Sequence, residues 1–314
     1  MRRLLVSAGV AVIPIAELAA QAQAPRFRED FRYTLSLKAA GKLHVENFNG
    51  AVHIAGWNQN RAEVTGTKYA PSKDLLQAVK VDVEADGDSL RIRTERSGDR
   101  RGDLGARYLI RLPRRLTQTR IENTNGAVQV ENLEGEVRLR TSNGSVRVAG
   151  LVGQLEAETS NAGVDLQNVD GELVVRTSNG SIRGQGVRGT LDARTSNGAI
   201  QVAFRQVFGR RPIRLITSNQ SIDLQLPDVR LEVEAVTSNA GITVRLPANA
   251  SADLRAEAPN GSITTDFDVR PREPGEKPKA EGVKTKLEGI IGRGGPRLEI
   301  KTTNGPIRLL KPAR

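Results

Sequence analysis

The chain has 314 residues, of which 38% are hydrophobic, and 47 Lys and Arg against 36 Asp and Glu give a formal net charge of +11. This hydrophobic content can form a core in one long domain or two shorter ones, which excludes disorder along the whole chain. Cysteine is absent, which excludes disulfides, thiolate metal sites, a thiol nucleophile and a lipid-anchored cysteine.

The N-terminus has the layout of a secretory signal peptide. Met1, Arg2 and Arg3 precede an apolar run and then a stretch of small residues that ends at Ala24. We predict a signal peptide over residues 1–22, with cleavage after residue 24 as the alternative. No later segment has the roughly 18 consecutive apolar residues of a membrane-spanning helix. We therefore expect an exported protein that is periplasmic, at the cell surface or secreted.

Residues 25–118 are predicted to hold one early repeat copy and a β-rich N-terminal cap. The early copy surrounds Asn49, and residues 61–118 then interrupt the repeat. Strand-like segments lie near 62–68, 79–85, 89–94 and 107–112, and a helical turn is expected at 72–78. We expect this insert to cover one end of the repeat, which would otherwise present an open strand edge.

Residues 119–269 carry a repeat centred on a turn asparagine, which returns every 18 residues and later at longer intervals. Each unit has two segments of alternating apolar and polar residues, which is typical of strands. A constant period stacks equivalent residues about 4.8 Å apart, which favours a parallel coil over the antiparallel hairpins that Asn-Gly also permits. The turn asparagines of this segment are Asn125, Asn143, Asn161, Asn179, Asn197, Asn219, Asn239 and Asn260, and a further one, Asn304, lies in the C-terminal segment.

The predicted fold class is therefore all-β, a single-chain parallel β-solenoid (β-helix) of about ten rungs, roughly 50 Å long at the spacing of parallel strands. Its inner positions are branched aliphatic residues on two walls. The first wall has Val137, Leu155, Leu173, Leu191 and Ile213, and the second has Val146, Val164, Ile182, Ile200 and Ile222.

The turns have a predicted structural role. Asn tolerates the left-handed bend, and its amide can bond to the same amide one rung above and below. Neighbouring Thr and Ser could extend this ladder through their hydroxyl groups. Glycines in the second turn are expected to supply the positive φ of a sharp corner, at Gly135, Gly153, Gly171 and Gly189.

The C-terminal part departs from the regular period. Residues 270–282 form a Pro-rich loop by composition. The repeat resumes at Leu298, so residues 283–314 are predicted to be C-terminal rungs and a cap, with a terminal rung closing the chain.

Several of these segments together resemble the bacterial family named "putative adhesin", whose function is uncharacterised. They are the signal peptide, residues 41–50, the Thr-Ser-Asn-Gly rungs, and residues 290–296 followed by 298–307. The resemblance covers nearly all of the mature chain. It implies a β-solenoid in or outside the cell envelope with an adhesive or scaffolding role and no established catalytic residues.

With the adhesive or scaffolding role that the resemblance implies, we predict a non-catalytic module without a cofactor. The main alternative is a carbohydrate-active β-helix enzyme, a polysaccharide lyase or hydrolase, which needs clustered carboxylates on an outer wall, often beside Ca²⁺. The available carboxylates each face an Arg at the matching position of an adjacent rung, which indicates a charge-balanced wall. They are Glu156, Glu158, Asp165 and Asp192. His44 and His53 should lie on different walls, which makes a shared metal site improbable.

A third alternative is binding of a polyanion through the basic N-terminal cap. Residues 119–260 hold 15 basic and 16 acidic residues, whereas residues 91–120 alone hold ten arginines. Such contacts would attract anionic envelope polymers with salt-sensitive affinity, although a solvated basic cap explains the same charge. The proposed contacts are Arg100, Arg101, Arg114 and Arg115. The partner, a glycan, anionic polymer or protein, is not identified, and nucleic acid is disfavoured because interleaved aromatics are lacking.

Overall fold

A computed structural model describes residues 27–98, 102–271 and 285–312. These residues form 25 strands and one short helix, α1 (Lys73–Gln77), so the predicted all-β class is confirmed. The predicted signal peptide, Arg100, Arg101 and most of the Pro-rich loop lie outside the described residues. None of the described helical segments is long and apolar enough to cross a membrane.

The four segments predicted near 62–68, 79–85, 89–94 and 107–112 are strands whose ends agree with the prediction to within two residues. The helix is capped by Ser72, whose hydroxyl accepts a hydrogen bond from Leu75 N at 3.2 Å. The strands before the regular repeat are β1 (Phe27–Asn49), β2 (Val52–Trp57), β3 (Arg61–Ala70), β4 (Val79–Ala85), β5 (Gly87–Arg96), β6 (Gly105–Pro113) and β7 (Arg115–Asn125).

The regular repeat places strand residues before each asparagine turn and after it, and β14 (Ile182–Arg194) supplies both those after Asn179 and those before Asn197. We call the strands before the turns the first wall, the strands after them the second wall, and one strand of each a layer. The strands are β8 (Val128–Glu131), β9 (Glu134–Thr141), β10 (Val146–Ala149), β11 (Val152–Glu158), β12 (Val164–Gln167), β13 (Asp170–Arg176), β14 (Ile182–Arg194), β15 (Ile200–Val207), β16 (Ile213–Ile216), β17 (Ile222–Gln225), β18 (Val233–Thr237) and β19 (Ile242–Arg245).

Strands of one wall pair in parallel with the equivalent strands of the next layer. In the first wall, Leu155 lies opposite both Val137 and Leu173. In the second wall, Val164 lies opposite both Val146 and Ile182. All ten predicted inner positions are at most 2% exposed. Equivalent branched side chains therefore fill the interior in every layer, which is the arrangement that the period predicts.

Both ends of the stack depart from chain order. At the start, β1 pairs with β7 on one edge and with β5 on the other, and β2 pairs with β8 and β6. The layer formed by β5 and β6 therefore lies outside the layer of β1 and β2, although it comes later in the chain. The first ten residues of β1 pair with β3 in antiparallel orientation.

At the C-terminal end, the layer that comes last in the chain lies inside a layer that comes earlier. Its strands are β20 (Ala252–Glu257), β21 (Ile263–Thr265), β22 (Val269–Arg270), β23 (Lys286–Ile291), β24 (Arg297–Thr302) and β25 (Ile307–Leu310). The layer of β24 and β25 lies between the layer of β18 and β19 and that of β20 and β21. The last rung of the chain is thus not the outermost layer. β20 pairs with β24 on the edge that faces the stack and with β23 on the edge that faces away from it.

The corner glycines show how closely the layers approach. Gly171 has a φ of +137° and Gly153 a φ of +141°. A Cβ atom built on Gly171 would lie 1.7 Å from the carbonyl oxygen of Gly153 in the adjacent layer. Both the backbone angle and the space therefore require glycine at this corner.

We expect Gly171→Ala to destabilise the protein more than Gly87→Ala. Gly87 also has a positive φ, +89°, but nothing lies within 4 Å of its Cβ position. The Gly87 variant should lose roughly 1–2 kcal/mol for the left-handed conformation. The Gly171 variant should lose typically about 1–3 kcal/mol more through overpacking. Urea unfolding measures both, and equal losses would contradict the close approach of the layers.

Candidate functional site

The asparagine turns lie in one exposed column, which we call the turn edge. All nine predicted turn asparagines lie there, and eight of them donate from amide Nδ2 to Oδ1 of an asparagine in the adjacent layer, whereas Asn125 Nδ2 donates to Phe48 O at 3.4 Å. The donor–acceptor distances are 2.6–3.0 Å, for Asn143 to Asn125, Asn161 to Asn143, Asn179 to Asn161, Asn197 to Asn179, Asn219 to Asn197, Asn239 to Asn219, Asn304 to Asn239 and Asn260 to Asn304.

The amide ladder follows the order of the layers and not the order of the chain. Asn304 lies between Asn239 and Asn260, which reproduces the C-terminal inversion. Asn219 joins the ladder although Gln220 replaces the usual glycine. Each bond is solvent-exposed and contributes on the order of 0.5–1.5 kcal/mol, so the ladder serves mainly to hold the layers in register.

The threonines and serines next to the ladder have different roles. The threonine side chains are buried and donate to a turn carbonyl of the preceding layer, as Thr159 does to Gly144 O at 3.1 Å and Thr177 to Ala162 O at 3.0 Å. The serines that follow are exposed. Only the threonines therefore extend the hydrogen bonding of the turns as predicted, and the serines leave a row of hydroxyl groups on the surface.

The outward side chains of the first wall form what we call the charged face. Glu158 is bridged by Arg140 at 2.9 Å and by Arg176 at 3.5 Å, one from each adjacent layer. Glu156 lies 3.7 Å from Arg138 of the adjacent layer. Exposed pairs of this kind contribute about 0–1 kcal/mol each, so they favour the native register more than they stabilise the fold.

The other two carboxylates that the sequence indicated are also paired. Asp165 of the second wall lies 3.2 Å from Arg147 of the adjacent layer. Asp192 pairs with Arg194 of its own strand at 2.8 Å, while Arg214, its expected partner in the adjacent layer, pairs with Glu234 at 3.2 Å. All four carboxylates are thus held by guanidinium groups, and for Asp192 the partner differs from the predicted one.

A cleft that the sequence analysis missed interrupts the charged face. The spacing from Asn197 to Asn219 is 22 residues, and the longer loop carries Arg211 back to within 3.3 Å of Glu172. Both residues line a cavity of about 280 Å³ together with Val174, an apolar residue in an otherwise charged column. The longer period was the available signal, since insertions in repeat proteins often mark a binding face.

Two of the four arginines proposed to contact a polyanion form ion pairs within the protein. Arg114 and Arg115 both pair with Glu134, at 3.2 and 3.3 Å. The other two proposed polyanion contacts, Arg100 and Arg101, lie outside the described residues. The described part of this basic cluster therefore shares one carboxylate between two arginines.

The two histidines lie on different walls. His44 Nε2 lies 3.4 Å from Glu46, and His53 Nε2 lies 3.4 Å from Glu131. Across residues 27–98, 102–271 and 285–312, no three His, Cys, Asp or Glu side chains are grouped so that they could hold a metal ion.

Glu46 accepts hydrogen bonds from two arginines of the adjacent layer. Arg93 Nε donates to it at 2.9 Å and Arg91 Nη2 at 3.1 Å. Burial by itself opposes ionisation, but the hydrogen bonds from Arg93 and Arg91, with the charges of Arg93 and His44, hold the pKa of Glu46 below its ordinary value of 4.5. This ion cluster ties β1 to β5 across the inverted layers.

Comparison with known protein families gives one match. The family model described as Toastrack DUF4097 matches residues 42–255, which run from β1 into β20. No curated protein matches the chain.

Several solved structures are similar to this chain over most of its length. One, described as a putative adhesin from Bacteroides fragilis, is 12% identical, covers 90% of this chain and 97% of its own, and has a TM-score of 0.46. A putative adhesin from Parabacteroides distasonis is 11% identical, with coverages of 90% and 97% and a TM-score of 0.38.

Removing an amide from the middle of the ladder should cost more than removing one from its end. Asn179→Ala breaks two amide bonds, whereas Asn260→Ala breaks one. We expect losses in the free energy of unfolding of about 1–3 and 0.5–1.5 kcal/mol respectively. Urea unfolding measures both, and a larger loss for Asn260→Ala would show that the ladder does not act layer by layer.

The acid stability of the protein should depend on Glu46. Because its folded pKa is lowered, its contribution is present above the ordinary value of 4.5 and is lost as the pH falls through the folded pKa. We expect Glu46→Gln to flatten the loss of stability between about pH 5 and about pH 3, measured by urea midpoints. Glu84→Gln, at an exposed position with no described ion pair, should leave that slope unchanged.

Proposed function

Since the chain belongs to the Toastrack DUF4097 family, we propose that it acts as a non-catalytic adhesion or scaffold module in the cell envelope or outside the cell. The family resemblance inferred from the sequence is thereby confirmed. The predicted signal peptide over residues 1–22 supports the export of this module. Its role would be to present a long, repetitive surface to a glycan, an anionic polymer or another protein.

The proposed architecture is a single-chain β-solenoid of about ten rungs. Its support is the parallel pairing of both walls at the period of the repeat and the amide ladder that joins every turn asparagine from Asn125 to Asn260. A stack of this size is a rod roughly 50 Å long at the spacing of parallel strands. Such a rod offers a long, narrow face in place of an enclosed pocket.

The observation that carries the proposal is the pairing on the charged face. A carboxylate that acts as a general acid or base must take up and release a proton. A carboxylate that binds calcium must have oxygens free to coordinate the ion. Glu158 is instead held between Arg140 and Arg176, and Asp192 is held by Arg194. Rows of exposed ion pairs suit recognition of a polar partner. The polar groups of the partner can replace one member of such a pair at little cost in free energy, because exposed ion pairs are weak.

Binding should therefore depend on the first wall. We expect Arg140→Glu with Arg176→Glu to weaken capture of envelope glycans by about tenfold or more, because both guanidinium groups around Glu158 are lost. The matched control is Arg147→Glu with Arg183→Glu, which makes the same charge change around Asp165 on the second wall.

The measurement is retention of the mature protein and both variants on a glycan array that includes lipopolysaccharide and teichoic acids. Equal losses in the two variants would contradict a specific face and indicate charge alone. Shortening of a bound polysaccharide by the unmodified protein would contradict the non-catalytic role. Strong retention on heparin that survives the first-wall changes would favour the basic N-terminal end as the contact.

A further inference from the structure

The C-terminal strands pair among themselves and form a unit. β20 pairs with β23 on one edge and β24 on the other, β21 pairs with β25, and β22 pairs with β23. Among the described residues, β20, β21 and β22 have no strand pairing with any strand before residue 246. We call the described residues from 252 to 312 the end cap.

The end cap is held on the stack by one interface. β24 pairs in parallel with β18, and β25 pairs in parallel with β19. Leu298, Ile300, Ile307 and Leu309 are fully buried there. Hydrogen bonds at the turn edge, including that of Asn304 with Asn239 at 2.9 Å, complete the contact.

The charges at this interface are better matched inside the cap than across it. Within the cap, Arg255 and Glu257 lie opposite Glu299 and Lys301, so that opposite charges face each other. Across the interface, Glu299 lies opposite Glu234, a like charge. Glu234 pairs with Arg214 on the stack side and Glu299 with Lys301 on the cap side. Separation between β24 and β18 therefore leaves the ion pairs on both sides intact.

A short link joins the cap to the stack. Only residues 246–251 connect β19 to β20, and Ala250 N donates to Pro247 O at 2.9 Å in the turn. Because the layer of β24 and β25 lies between, this link must span two strand spacings, about 10 Å. Short links between a body and an element that docks back on it favour exchange between identical chains.

From this arrangement we infer that two copies of the chain can pair by exchanging their end caps. The cap of one copy then docks its β24 and β25 on β18 and β19 of the other, and makes the same contacts as it makes within one chain. The partner is thus a second copy of this chain, and the surface is the parallel edge that the cap covers. This pairing is independent of any ligand of the charged face.

The absence of cysteine allows a direct test by disulfide formation between chains. Thr243 and Arg308 are register partners across the interface, on the outward side of the second wall. Parallel neighbours lie about 4.8 Å apart, within the Cα distances of about 4.4–6.8 Å that a disulfide spans. Thr264 is the register partner of Arg308 inside the cap, and Gln201 faces outward in the same column of β15.

The experiment uses full-length chains that each carry one substitution, with one chain of every pair enlarged by a tag. Thr243→Cys and Arg308→Cys chains are unfolded together, refolded at high protein concentration and oxidised. We expect a covalent dimer of the two different chains, and none when the folded proteins are only mixed. The same treatment of Gln201→Cys with Arg308→Cys should give no such dimer.

Two further tests show which part of the chain is exchanged and whether the disulfide can form. Thr264→Cys with Arg308→Cys should give no mixed dimer, because the cap moves as one body. A mixed dimer from this pair would overturn the cap as the exchanged unit and indicate exchange of the last segment alone. The double variant Thr243→Cys/Arg308→Cys should close a disulfide within one chain. Failure to do so, or no more mixed dimer from Thr243→Cys than from Gln201→Cys, would overturn the proposal.

Discussion

Parallel pairing of backbone strands at a fixed offset is the constraint on which this structure depends. When Leu155 lies opposite both Val137 and Leu173, every other position of the repeat is also placed above its equivalent. The corner glycines then approach so closely that a Cβ at Gly171 would overlap a carbonyl oxygen. The same register brings asparagine amides within hydrogen-bond distance. The inner aliphatic residues, the glycines and the asparagines are thus consequences of one geometry.

Stacking also determines the chemistry of the surface. Side chains of adjacent layers are neighbours, so an Arg above a Glu forms a pair and a row of such positions becomes a balanced face, as around Glu158. The face changes where the period lengthens, because the longer loop places Arg211 near Glu172 and a cleft forms over Val174.

The two ends of the stack solve the problem of the open strand edge in related ways. At each end the chain places one layer out of order and adds an antiparallel strand beyond the last parallel one, β4 beside β5 and β23 beside β20. An antiparallel strand stops the parallel register, which disfavours indefinite addition of further layers. At the C-terminal end this solution leaves the cap attached through a single two-strand interface.

The sequence by itself determined the all-β class, the inner positions of both walls and the column of turn asparagines, because all of these follow from a period that repeats every 18 residues. It also indicated the paired charges of Glu156, Glu158 and Asp165. Only the tertiary structure decided the order of the end layers, the partner of Asp192 and the reach of Arg211. The physical reason is that every copy of the repeat presents an equivalent strand edge. The period therefore specifies how copies stack and leaves open which copies are neighbours, and long Arg side chains choose among several carboxylates within reach.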